Sequence, residues 1–214
     1  MAILILSFFG YFAWNSFRMP IIFLGKTEKI KGTIYNIKDQ PGLKGYGFVQ
    51  NLNYFYSFKG SWYEGQYTCN GRQSLQRIGN SISLKISAAN PHKVQVIGFY
   101  EKKKYKKSKK EKFYSVRDKG HCKLTIEDNI YTLINFTESS DSTTQTIGIV
   151  KFINGDTLKL LPIKSLIKKG KETKESIIPD SLRSILKKEN VFQRKQNGSE
   201  TTLINRKLEF KKIN

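Results

Sequence analysis

Between Glu101 and Lys112 the chain reads EKKKYKKSKKEK, and eight of those twelve residues are lysine. Like charges at that density repel one another and leave no apolar stripe to bury, so the segment is expected to be a solvated linker or the tip of an extended hairpin. It divides the 214 residues into two stretches, each near the size of a small domain. On both sides short runs alternate between apolar and polar residues and are punctuated by Gly, Asn and Asp, a period that belongs to strands rather than helices. Before the lysine run the candidate strands are 29–37, 47–58, 62–68, 81–87 and 93–99, with Lys59, Gly60 and Ser61 as a tight connection. After it they are 122–126, 131–136, 146–152, 157–161, 190–195 and 201–213, with Asn154, Gly155 and Asp156 forming one turn and Asn197 with Gly198 another.

The apolar content of 38% lies below that of an average globular chain, while 13% aromatic residues exceeds what a disordered chain carries. The chain is therefore expected to fold around modest cores. Two cysteines exclude a disulfide framework, and no C-x-x-C pair offers a zinc or redox site. A formal charge of +21 makes an ordinary acidic metabolic enzyme a poor fit and points towards anionic partners. A third of that excess falls between Phe99 and Gly120.

Ala2 to Phe17 carries no charge, and apolar character resumes from Met19 to Leu24. With Arg18 snorkelling, the stretch is long enough to span a bilayer as a helix. It lacks an early Lys or Arg and an A-x-A-like cleavage site, so a retained anchor is expected in place of a cleaved signal peptide. An N-terminal helix buried in a globular core is the alternative. Arg18, Lys26, Lys29, Lys31 and Lys38 follow the span, and the positive-inside rule puts the bulk of the chain in the cytoplasm.

The expected fold is thus mainly β. A transmembrane helix over 1–25 precedes a small β-barrel or sandwich over 26–99, a lysine-rich linker over 100–112 and a second β-rich domain over 113–214. One short helix is expected near 180–189, where Asp180 or Ser181 can cap a turn carrying Leu182, Ile185 and Leu186.

Gly32, Thr33 and Ile34, the hairpin pair Tyr54–Phe58 and Trp62–Gly65, and the set Gly79, Ile82, Leu84, Ile86, Asn90 and Pro91 form an ordered pattern. In it the first half resembles a bacterial family of membrane-anchored β domains of unknown function, which carries a tyrosine where this chain has Ile86 or Ser87. The resemblance implies a membrane location and no particular reaction. KLTIEDNIYTLINF, from Lys123, followed by GIVKFINGDTLKLLP, from Gly148, makes the second half similar to small lipocalin-like β domains of bacterial envelope proteins. That similarity implies a barrel and carries over no binding residues.

Candidate chemistry is sparse. His121 and Cys122 are adjacent, so in a strand they point to opposite faces and cannot act as a pair. His92 has no second ligand at metal spacing, and Gly42, Gly45 and Gly47 are followed by a strand pattern rather than the helix a phosphate loop needs. No catalytic group, cofactor or metal is expected, and the chain reads as a binding or accessory module. Tyr54, Tyr56, Trp62 and Tyr63 form a candidate aromatic surface for bases or sugars, though core packing explains them equally. Candidate contacts to a membrane or polyanion are Arg18, Lys102, Lys103, Lys104, Lys106, Lys107, Lys109, Lys110 and Lys112. With an anchor in place the anionic leaflet is the nearest partner. The alternatives are a nucleic-acid-binding basic β-barrel with a buried N-terminal helix, an envelope ligand carrier of lipocalin-like type, and a protein partner.

Overall fold

A computed structural model describes residues 23–41, 48–69, 75–100, 110–117, 120–138, 142–179, 190–205 and 208–213. The described residues are mainly β, and no helix among them is long and apolar enough to cross a membrane. The expected anchor over 1–25 lies almost wholly outside the described residues, as do the expected helix near 180–189 and the Gly42–Gly47 loop.

Strands β1 (Thr27–Pro41), β2 (Phe48–Phe58), β3 (Ser61–Cys69), β4 (Ser81–Ser87) and β5 (Val94–Phe99) form one antiparallel sheet in the order β3-β2-β1-β4-β5. The long β1 serves both flanks, pairing with β4 through residues 27–33 and with β2 through residues 32–41. A bulge at Tyr35 makes this work. Three residues separate Ile34 from Ile37, so in a regular strand they would face opposite ways; the extra residue restores the parity and returns both to the core. That core lies on a concave face and includes Leu52, Tyr54, Tyr56, Ile82, Leu84 and Ile86. The sheet is curled enough that its edge strands meet through side chains: Tyr67 of β3 lies edge-on to Phe99 of β5 at 6.0 Å. No ladder joins those edges among the described residues, so the expected barrel or sandwich of the first half is a curled, open sheet.

The second unit closes. β6 (Lys110–Arg117), β7 (Gly120–Glu127), β8 (Ile130–Thr137), β9 (Ser142–Asn154), β10 (Thr157–Lys169), β12 (Val191–Asn197), β13 (Glu200–Ile204) and β14 (Glu209–Ile213) pair in sequence, and β14 returns to β6. The result is an eight-stranded antiparallel barrel, an architecture that abolishes sheet edges. The remaining strand, β11 (Glu172–Ile177), pairs with the second half of β10 outside the ring. β6 contains Lys110, Glu111 and Lys112, so the end of the lysine run is strand rather than linker. The single strand expected over 201–213 is two, separated where Leu208 N–H donates to the Asn205 side chain at 2.7 Å.

Phe113, Cys122, Leu124, Tyr131, Leu160, Phe192, Leu203 and Phe210 fill the barrel interior. At one end Glu111 accepts from Arg194 at 2.6 Å and from Lys212 at 3.2 Å, tying β6, β12 and β14 together. Gly148 is required on β9, because a Cβ there would lie 2.0 Å from the Leu161 carbonyl oxygen of β10. Beside it β10 bulges after Pro162, which lacks a ladder donor. Leu158 and Leu160 point into the barrel, and continued alternation would send Lys164 in after them. The bulge shifts the parity, so Ile163 and Lys164 both lie on the outer wall.

Candidate functional site

The outer wall at that bulge is where the two units meet. Tyr35 and Phe55 from the sheet are buried with Ile130 and Ile163 from the barrel, and Trp62, Ile78, Ile147, Ile149 and Ile177 pack around them. Tyr35 stacks on Phe55 with ring centroids 3.9 Å apart.

At the rim of this apolar contact sits an ion cluster. The Lys164 ammonium donates to both Glu64 carboxylate oxygens at 2.8 Å, to the Tyr35 hydroxyl at 3.1 Å and to Glu175. The Tyr35 hydroxyl donates in turn to Glu64 and accepts a weak contact from the Asn53 amide at 3.4 Å. A lysine only 5% exposed is tolerated because its donors meet two carboxylates and a hydroxyl. Burial by itself lowers the Lys164 pKa, but the bonds to Glu175, Glu64 and Tyr35 outweigh it and hold the group above its ordinary value.

The same strands wall an open cleft of about 680 Å³ between sheet and barrel. Lys38 lies on the sheet side and Lys112 and Lys123 on the barrel side, all three exposed and without a hydrogen bond or ion pair among the described residues. Lys110 also lines it but pairs with Glu127 at 3.2 Å. Gln66, Thr132 and Gln145 contribute neutral polar surface.

Of the expected polyanion contacts, Lys110 and Lys112 are brought to this cleft, whereas Arg18, Lys102, Lys103, Lys104, Lys106, Lys107 and Lys109 lie outside the described residues. The candidate aromatic surface is not a surface at Tyr54 and Tyr56, which are 3% and 2% exposed in the concave core. Both rings face inwards because alternation places them together, and Phe55 between them is buried against the barrel, so β2 is covered on both faces. Trp62 packs towards the barrel, and Tyr63 stacks on Tyr56 at 5.4 Å and meets the edge of His92 at 5.2 Å. His121 and Cys122 take opposite faces, the thiol in the barrel core and the imidazole outside beside Tyr114 and Phe136. No cluster of three or more metal-ligand side chains occurs among the described residues. Sequence reading missed Lys164, Tyr35, Glu64 and Lys123; the one available signal was Pro162 inside a strand pattern, which marks a bulge.

The buried tyrosines set an alkaline limit. Burial first, then the bond to Glu64, pushes Tyr35 from 10.0 up to about 12, and burial followed by the neighbouring Tyr63 pushes Tyr56 to about 12. Burial raises Tyr54 and Tyr131 further. Above about pH 10 the unfolded chain loses these protons while the folded chain keeps them, so stability falls as pH rises. Lys164 has the same sign: its contribution is full below its unfolded pKa of about 10.4 and is lost above that. The urea midpoint is expected to stay level from about pH 7 to 9 and to drop between about pH 10 and 12. A level midpoint throughout contradicts this assignment.

Comparison with protein-family models, curated proteins and solved structures finds no match to this chain.

Proposed function

We propose that this chain is a membrane-anchored, non-catalytic binding module that holds an anionic ligand in the cleft between its curled sheet and its barrel. The observation that carries the reading is the cleft itself, in which Lys38, Lys112 and Lys123 face open space with no partner among the described residues. Lysines on a surface usually point into bulk water; here two secondary-structure units converge to place them around one concavity, the usual setting of a ligand site. The uncharged stretch from Ala2 to Phe17 supports the anchor, and a net charge of +21 supports an anionic partner. The eight-stranded ring is compatible with a lipocalin-like carrier, but Phe113, Tyr131, Phe192 and Phe210 occupy its interior, which favours the outer cleft.

The test is lysine footprinting of the full chain in neutral detergent micelles, with short-chain inorganic polyphosphate as a generic anion. Lys38, Lys112 and Lys123 are expected to be protected from an amine-reactive reagent, while Lys168 and Lys169, exposed near the end of β10, are not. Equal labelling with and without polyphosphate defeats the cleft reading. Release from membranes by carbonate without detergent defeats the anchor.

A further inference from the structure

We propose that the cleft is a site for an anionic carbohydrate, a saccharide bearing phosphate, sulfate or carboxylate groups. This rests on the anion-binding reading above and narrows it. The lining supplies two kinds of recognition in one concavity. Lys38 comes from the sheet while Lys112 and Lys123 come from the barrel wall, so a ligand between them meets cations on both sides. Lys112 and Lys123 belong to the paired strands β6 and β7, where Lys112 stands opposite Thr125 and Lys123 opposite Tyr114, which places the two ammonium-bearing positions on one outward face of the same ladder.

Between these cations the cleft offers the side chains of Gln66, Thr132 and Gln145, none of them hydrogen-bonded among the described residues. An amide or hydroxyl both donates and accepts, and a sugar hydroxyl needs both from its site. A simple anion needs donors only, so this lining exceeds what phosphate alone would use.

What the cleft lacks separates the remaining polyanions. Single-stranded nucleic acid is held largely by stacking its bases on aromatic faces. Tyr35 is the one aromatic side chain lining the described cleft, and its ring is already stacked on Phe55 at 3.9 Å and approached by the Lys164 ammonium at 5.5 Å from its centroid. A base therefore finds no open platform. A bilayer surface presents its charges on a plane and cannot enter a space walled by two units. A short, charged, hydroxylated chain meets neither obstacle.

Titration calorimetry of the full chain in neutral detergent micelles tests this with four probes: a heparin-derived tetrasaccharide, neutral maltotetraose, an octathymidylate and inorganic phosphate. The tetrasaccharide is expected to bind at least tenfold more tightly than any of the other three. The double change K112Q/K123Q is expected to weaken it at least tenfold, and K168Q/K169Q to leave it unchanged; all four positions are exposed, so neither pair endangers the fold. The proposal is overturned if octathymidylate or maltotetraose binds as tightly, if K112Q/K123Q changes nothing, or if the control pair loses as much. Polyphosphate protection in the cleft with a silent tetrasaccharide overturns this inference alone; absence of both overturns the broader reading with it.

Discussion

Phe55→Ala is expected to destabilise the protein by about 3–5 kcal/mol, the range for removing a large aromatic side chain from a packed interior. Phe55 is fully buried, stacks on Tyr35 and belongs to the cluster that joins sheet to barrel through Ile130 and Ile163. Collapse cannot heal the gap easily. On one side β1 and β3 fix the backbone of β2, and on the other the barrel wall is held by its own ladders. The loss should also separate the two units energetically, since the concave core and the barrel core share no residue with this cluster. Equilibrium unfolding in urea, followed by tyrosine fluorescence and by far-ultraviolet circular dichroism, should show a lower midpoint and a broader or divided transition. A midpoint shift worth less than about 1 kcal/mol sinks the claim that this cluster couples the halves.

Lys164→Met should cost about 3 kcal/mol, near the lower end for breaking a buried ion pair, because Glu175 is half exposed and can turn to water. The expense arises from what remains. Glu64 is left beside Tyr35 without its ammonium partner, and a carboxylate so placed must be desolvated uncompensated or take up a proton. The double variant Lys164→Met/Glu64→Gln removes that stranded charge and is expected to recover more than half of the loss. Urea titrations of wild type, both single variants and the double variant give the coupling directly. If the double change costs as much as the two single changes added together, Lys164 and Glu64 do not act as a pair.

The two effects arise at one place, and that place was the least visible in the sequence. Strands with one buried face were legible, because Leu124 and Ile126 or Ile82, Leu84 and Ile86 alternate with polar neighbours. β11 was not, since Glu172–Ile177 is almost entirely exposed and has no apolar alternation to read. The start of β6 was hidden for a different reason: its inward residue Glu111 is a charge, made acceptable by Arg194 from 83 positions away. Bulges at Tyr35 and after Pro162 then decide which side chains reach the cleft, and a one-residue change of parity leaves no compositional trace. The cleft lysines were legible only as charge, because their convergence depends on how a sheet and a barrel wall pack.

The closure of the ring by β14 on β6 has a consequence for the order in which the molecule can assemble. Every ladder of the curled sheet lies within residues 27–99, so that unit can form as soon as that stretch is available. The barrel instead needs Glu209–Ile213 to reach Lys110–Arg117, a long-range pairing that folds slowly. Until then β6 presents a row of unpaired backbone donors and acceptors on which another chain could add a strand. Lys110 and Lys112 stand on that strand facing outwards, and their charge hinders such addition. The dense lysines that first looked like a break between domains thus also guard the one edge that must wait longest for its partner.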